Sequence, residues 1–225
     1  MGNYDLKPLV NLFNKHADPE RASQMKAYMK GQFNYLGLNS PLRRELAKQF
    51  YSAYGYPLPE QLEEVVDECY AMPFREFKYF ALELLVKMRK KAGHDAIHLY
   101  EKLLSIDPWW DTVDLIAPSL AGYHLRQYPE EREHYVKKWI ATGNLWLQRS
   151  AILFQLKYKK ETDTGILTEI ILQLKGSKEF FIRKAIGWVL REYSKTNAGF
   201  VVRFVQQHEL SGLSQREALK WLEHH

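Results

Sequence analysis

The sequence predicts an all-α fold, specifically an α-solenoid, from three observations. Apolar residues recur at helical spacing along almost the whole chain, no run alternates as a half-buried strand does, and helix-start signals return every 32 to 37 residues. In such a fold each helical pair buries its apolar face only by stacking on its neighbours, which gives a curved array with a concave face.

The starts, in order, are Ser40-Pro41, Met72-Pro73, Asp107-Pro108, Asn144-Leu145, Ser177-Lys178 and Ser214-Gln215. Ser, Asp and Asn side chains accept hydrogen bonds from the free amides of a first turn, and Pro at the first helical position gives up no needed donor. Ser214-x-x-Glu217 also reads as a capping box. Between the starts, turns are marked by Tyr54-Gly55-Tyr56-Pro57-Leu58-Pro59, Lys91-Ala92-Gly93, Tyr128-Pro129, Glu161-Thr162-Asp163-Thr164-Gly165 and Thr196-Asn197-Ala198-Gly199. The β-branched pairs Val65-Val66 and Ile170-Ile171 sit inside longer amphipathic windows and are expected in helices. No low-complexity linker divides the chain, so residues 1–221 are expected to form one domain of about six helical pairs. Leu222-Glu223-His224-His225 reads equally well as a natural end or the start of an expression tag and is set apart from function.

Composition narrows the function. The single cysteine, Cys69, excludes an internal disulfide framework and a multi-cysteine zinc site, and points to a reducing cytoplasmic compartment. No apolar run is long enough to span a membrane, and the first ten residues lack the pattern of an export signal. The net charge of +5 is unevenly placed. Through Ala121, 15 Lys and Arg meet 16 Asp and Glu; from Gly122 onward 17 meet 11, so the positive field belongs to the second half. His94 and His98 stand one turn apart, but no third ligand accompanies them; they are expected to be solvated, with no metal bound. No Gly-rich phosphate loop occurs, so no nucleotide cofactor is implied.

Three helix starts carry the residues suited to chemistry. Trp110 and Asp114 lie one turn apart on one helix face, Arg149 follows Trp146 in the next unit, and Phe181, Lys184, Trp188 and Arg191 form a face of aromatic and basic side chains in the one after. Trp and Phe at helical spacing ordinarily pack in a core, and Trp109, Trp146 and Phe180 are read that way. For Trp110 and Trp188 core and functional roles both stay open, because their faces also carry Asp114 and Arg191. Arg149 alone reads as a solvated arginine, and Asp114 alone as a residue favoured near a helix start by the helix dipole.

Longer runs settle on a family. Trp109-Trp110-Asp111-x-Val113-Asp114, Trp146-Leu147-Gln148-Arg149-x-Ala151-Ile152-Leu153-Phe154-Gln155-Leu156-Lys157-Tyr158 and Lys178-Glu179-Phe180-Phe181-Ile182-x-Lys184-Ala185-Ile186-Gly187-Trp188-Val189-Leu190-Arg191-Glu192-Tyr193 resemble the AlkD-like DNA alkylation repair glycosylases. Weaker matches are Met25-x-x-Tyr28-Met29-Lys30 and Leu36-Gly37-Leu38-Asn39-Ser40-Pro41, where the family often has Gln-Thr in place of Asn39-Ser40. The resemblance spans essentially the whole chain. It implies a right-handed solenoid of HEAT-like repeats with a concave, basic DNA-binding groove; a solenoid groove needs no partner, so a monomer is expected, and hydrolysis needs only water, so no cofactor is. It also implies hydrolysis of the N-glycosidic bond of cationic N3- or N7-alkylated purines, such as 3-methyladenine and 7-methylguanine, in double-stranded DNA. By the same resemblance Asp114 is the catalytic carboxylate, Trp110 and Trp188 face the lesion's deoxyribose, and Arg149 holds a nearby phosphate. Tyr28, Asn39, Ser40, Lys184 and Arg191 are the further candidates for backbone contacts. Two other readings are a HEAT-like DNA-binding scaffold without catalysis and a protein-interaction solenoid.

Overall fold

The computed structural model describes residues 4–224; the last residue of the suspected tag therefore lies outside the described residues. Among those residues the fold is all-α, with one isolated bridge, Asn34 to Phe74, and no strand. None of the helices among the described residues is long and apolar enough to cross a membrane. The chain falls into two compact units, residues 1–92 and 93–225.

The first unit holds α1 (Lys7–Lys15), α2 (Pro19–Tyr28), α3 (Ser40–Tyr54), α4 (Leu62–Ala71) and α5 (Arg75–Met88). Its core is aromatic. Phe13 of α1 stacks on Phe77 and meets Phe80 edge-on, and Phe50 of α3 meets Phe80 edge-on, so α5 is the common backing. The loop before α3 is fixed by one buried carboxylate: Glu76 accepts the backbone N–H groups of Leu36, Gly37 and Leu38 at 2.9 to 3.1 Å. Val65 and Val66 are buried within α4, as their amphipathic window predicts.

The second unit continues with α6 (Ala96–Leu103), α7 (Trp110–Ile116), α8 (Gly122–Gln127), α9 (Arg132–Ala141), α10 (Leu145–Leu153), α11 (Thr164–Leu174), α12 (Phe180–Ser194), α13 (Ala198–Gln207) and α14 (Gly212–Leu219). Helices α7, α10, α12 and α14 pack in succession as one layer, while α9, α11 and α13 back them. Between α7 and α8 the rod widens into a π turn, Ala117–Ala121. Pro118 has no N–H to offer the carbonyl four residues earlier, which is that of Asp114, and the register shifts so that Gly122 N–H bonds Ala117 O.

Helix starts repeat more regularly than the start signals do. Helices α3, α5, α7, α10 and α12 begin at Ser40, Arg75, Trp110, Leu145 and Phe180, a constant 35 residues apart, with 32 more to Gly212. Within the second unit, positions 35 apart touch, as Asp114 and Arg149, Trp146 and Phe181, and Arg126 and Glu161 all do. Caps explain why the signals stray. Asn39 and Asn144 cap their helices through the side chain, but α5, α7 and α12 start after Phe74, Trp109 and Glu179 with no side-chain cap. The capping box at Ser214 is overturned. Ser211 is the residue that caps α14, Ser214 lies inside the helix with its hydroxyl on the Arg183 carbonyl, and Glu217 reaches sideways to α12.

Two glycines make the layer close. A Cβ on Gly122 would stand 2.0 Å from the Phe154 carbonyl oxygen, and one on Gly187 would stand 2.4 Å from Glu217 Cβ. Both positions bring a helix backbone against its neighbour more closely than any other residue permits.

Candidate active site

The candidate site residues of the second unit come from three adjacent helices of one layer. Trp110 and Asp114 are one turn apart on α7, Arg149 is in the middle of α10, and Trp188 is two turns beyond Phe181 on α12 and so shares its face. Trp110, Asp114 and Trp188 are half-buried, whereas Arg149 is 4% exposed.

Arg149 is the hub. Its Nε and one terminal nitrogen donate to the two Asp114 carboxylate oxygens, both at 2.8 Å, and its other terminal nitrogen donates to the Phe181 carbonyl at 2.5 Å. The fork geometry of a guanidinium suits a carboxylate in this bidentate way and fixes its plane. The resemblance puts Arg149 on a DNA phosphate; in the structure its charge is spent first on Asp114, and it ties α7, α10 and α12 together. Desolvation in this setting pushes the Asp114 carboxyl above the usual aspartate range, and the Arg149 pairing opposes that rise without cancelling it.

An aromatic cluster adjoins the pair, its Phe181 ring 5.8 Å from the Arg149 guanidinium carbon. The Trp109 ring meets Trp146 at 5.4 Å and Phe181 at 5.5 Å between centroids, and Trp146 meets Phe181 at 5.0 Å. Trp109 and Trp146 are thus packing residues, as expected. Phe180 is not: it is 58% exposed, because α12 begins at that residue and turns Phe181 inward instead. Phe181, read from the sequence as part of an aromatic and basic face, is the ring that packs against both tryptophans.

Lys184 and Arg191 share a partner that the sequence reading missed. Glu217 of α14 accepts from Lys184 Nζ at 2.8 Å and from Arg191 at 2.7 Å, and the lysine holds its carboxyl below the usual range. No local motif signals this contact; only the approach of α14 over Gly187 creates it. The remaining candidates, Tyr28, Asn39 and Ser40, belong to the first unit and are exposed. Tyr28 ends α2, Ser40 opens α3, and the Asn39 side chain is occupied in capping Leu42 N–H at 3.0 Å. His94 is exposed yet not simply solvated, since its Nε2 lies 3.1 Å from Glu131, which also takes the buried His124 at 2.9 Å. Among the described residues no three His, Cys, Asp or Glu side chains form a set suited to a metal ion.

Residues 9–222 match the family described as DNA alkylation repair enzyme. The chain belongs to that family. The solved structure "Predicted DNA alkylation repair enzyme from Enterococcus faecalis" is similar over 93% of this chain and 98% of its own, with a TM-score of 0.83 and 32% sequence identity. A comparison with curated proteins found no match. The family marks the chain as an enzyme of DNA alkylation repair.

Proposed function

We propose that the chain is a DNA glycosylase that hydrolyses the N-glycosidic bond of N3- or N7-alkylated purines in duplex DNA, with 3-methyladenine and 7-methylguanine as representative substrates. The observation that carries this reading is the bidentate Asp114–Arg149 pair on neighbouring helices, whose helix faces also present Trp110 and Trp188. An alkylated purine is already cationic, so the bond from the anomeric carbon to the ring nitrogen breaks with its electron pair passing to the base, which leaves neutral. Positive charge then develops on the sugar. A fixed carboxylate stabilises that charge and directs a water to the anomeric carbon, and the proton shed by this water passes to the carboxylate or to solvent. The faces of Trp110 and Trp188 attract the same cation.

Arg149 keeps the carboxylate in place. Three of its five N–H donors are used, and the two that remain are suited to receive a phosphate oxygen when DNA arrives. Lesion recognition through charge and bond lability, rather than through a deep base pocket, predicts tolerance of bulky alkyl groups.

The test is release of 7-methylguanine and 3-methyladenine from methylated duplex, comparing wild type with Asp114→Asn. Release that disappears in the variant while duplex affinity is kept supports the assignment. Tight duplex binding without release by wild type supports the non-catalytic scaffold in its place.

A further inference from the structure

A second cationic feature of the second unit lies away from Asp114. The C-terminal ends of α8, α10 and α12 border a cleft of about 540 Å³ lined by Arg126, Lys157, Lys159, Lys160, Glu161 and Lys195. Arg126 is paired with Glu161 and Lys195 with Glu192. Lys157 Nζ donates to Ser119 Oγ of the π turn at 2.7 Å. Among the described residues Lys159 and Lys160 have no carboxylate partner, and both are exposed. Lys159 adopts φ of +54°, a conformation that glycine takes without cost, yet a lysine holds it.

We propose that this cleft binds the phosphodiester backbone of duplex DNA flanking the lesion. The inference rests on duplex DNA being the partner, and it adds a site distinct from the Trp110, Asp114, Arg149 and Trp188 set. Five cations against one lining carboxylate suit a polyanion, and the cleft is open, as a strand passing through requires. Its position fits. Lys195 follows Trp188 by seven residues on and just past the same helix, which is about 10 Å at 1.5 Å per residue. Each strand of a duplex carries one phosphate per roughly 3.4 Å of axis, so a strand engaged at Trp188 has phosphates about three nucleotides away at this distance. Phosphate contacts of this kind fix register without reading sequence.

The test measures duplex affinity of the whole chain against salt, between about 50 and 200 mM, with an undamaged labelled duplex. Lys159→Gln with Lys160→Gln is expected to weaken binding roughly tenfold or more and to flatten the salt slope by about two. Glu161→Gln, which releases Arg126, is expected to act oppositely, tightening binding and steepening the slope; a variant that had merely lost its fold would not. Unaltered slopes in both variants overturn the proposal, as does binding of inorganic phosphate alone at Lys159 and Lys160, followed by NMR, with an unaltered duplex slope. A flattened slope in a protein that releases no base leaves the cleft standing and removes the catalytic reading. Absence of any duplex binding by wild type overturns both.

Discussion

Asp114 and Arg149 are an exchange of burdens between two residues. A carboxylate and a guanidinium have both been taken largely out of water, and each is tolerable because the other is present. Burial raises the Asp114 pKa. A raised pKa in the folded state means that stability from this group is fully present below the unfolded value and is lost as pH rises through the folded one, so the ionised form that chemistry needs is held at a cost to the fold. Two outcomes follow for the proposed hydrolysis. The acid limb of the rate against pH is expected above the ordinary aspartate range, read from base release by wild type over acidic to neutral pH. In Arg149→Ala the pairing that lowers the Asp114 pKa is gone, so the limb moves further up; an unmoved limb means that Arg149 does not act through Asp114. The same substitution leaves a carboxylate largely buried without its partner and is expected to cost on the order of 3 kcal/mol in urea unfolding. Arg149→Lys keeps a charge but not the fork, and falls between the two.

At the scale of helices, the site is set by how closely the layer packs. Gly122 lets the turn after Pro118 press against the Phe154 carbonyl, and Gly187 lets α14 lie on α12 with Glu217 across Lys184 and Arg191. Gly187→Ala is expected to push α14 outward, to destabilise by about 1–3 kcal/mol, and to disturb Glu217 more than Arg149, seen as a lower urea midpoint and as NMR shifts concentrated on α12 and α14. The helices were legible in the sequence because apolar spacing is a local property; Val65, Val66, Ile170 and Ile171 lie in helices as their windows require. Exact starts were less so. Asn144 announces α10 by its own side chain, whereas α7 starts with no side-chain cap at all, and the cap that the sequence suggests at Ser214 is supplied by Ser211, three residues earlier. Trp110, Asp114, Arg149 and Trp188 could be singled out by residue type and the family resemblance. That Arg149 spends its charge on Asp114, that Phe181 and not Phe180 turns inward, and that Glu217 gathers two cations are results of helices meeting, which no local pattern records.

Over the whole molecule, charge is divided as unequally as the residue count suggests, with an excess of six cations from Gly122 onward and a deficit of one before it. A basic field raises the local concentration of a polyanion and makes its binding depend on salt through the counterions released. Ion pairing within the second unit then decides how many of those cations are available. Glu217 alone occupies Lys184 and Arg191, so Glu217→Gln is expected to tighten duplex binding several-fold and to steepen its salt dependence, a gain that a purely structural role for Glu217 does not produce. The uneven field gives a companion outcome. Lys7→Gln with Lys15→Gln, on exposed positions of α1, is expected to leave the salt slope almost unchanged, because those charges belong to the half whose cations are already matched by carboxylates. Lys184→Gln with Arg191→Gln is expected to flatten it. Fluorescence anisotropy of one labelled duplex with all three proteins, across the same salt range, makes the comparison; equal slopes for the α1 and α12 variants would mean that the binding surface draws evenly on both halves of the chain and that net charge by half is no guide to where DNA lies.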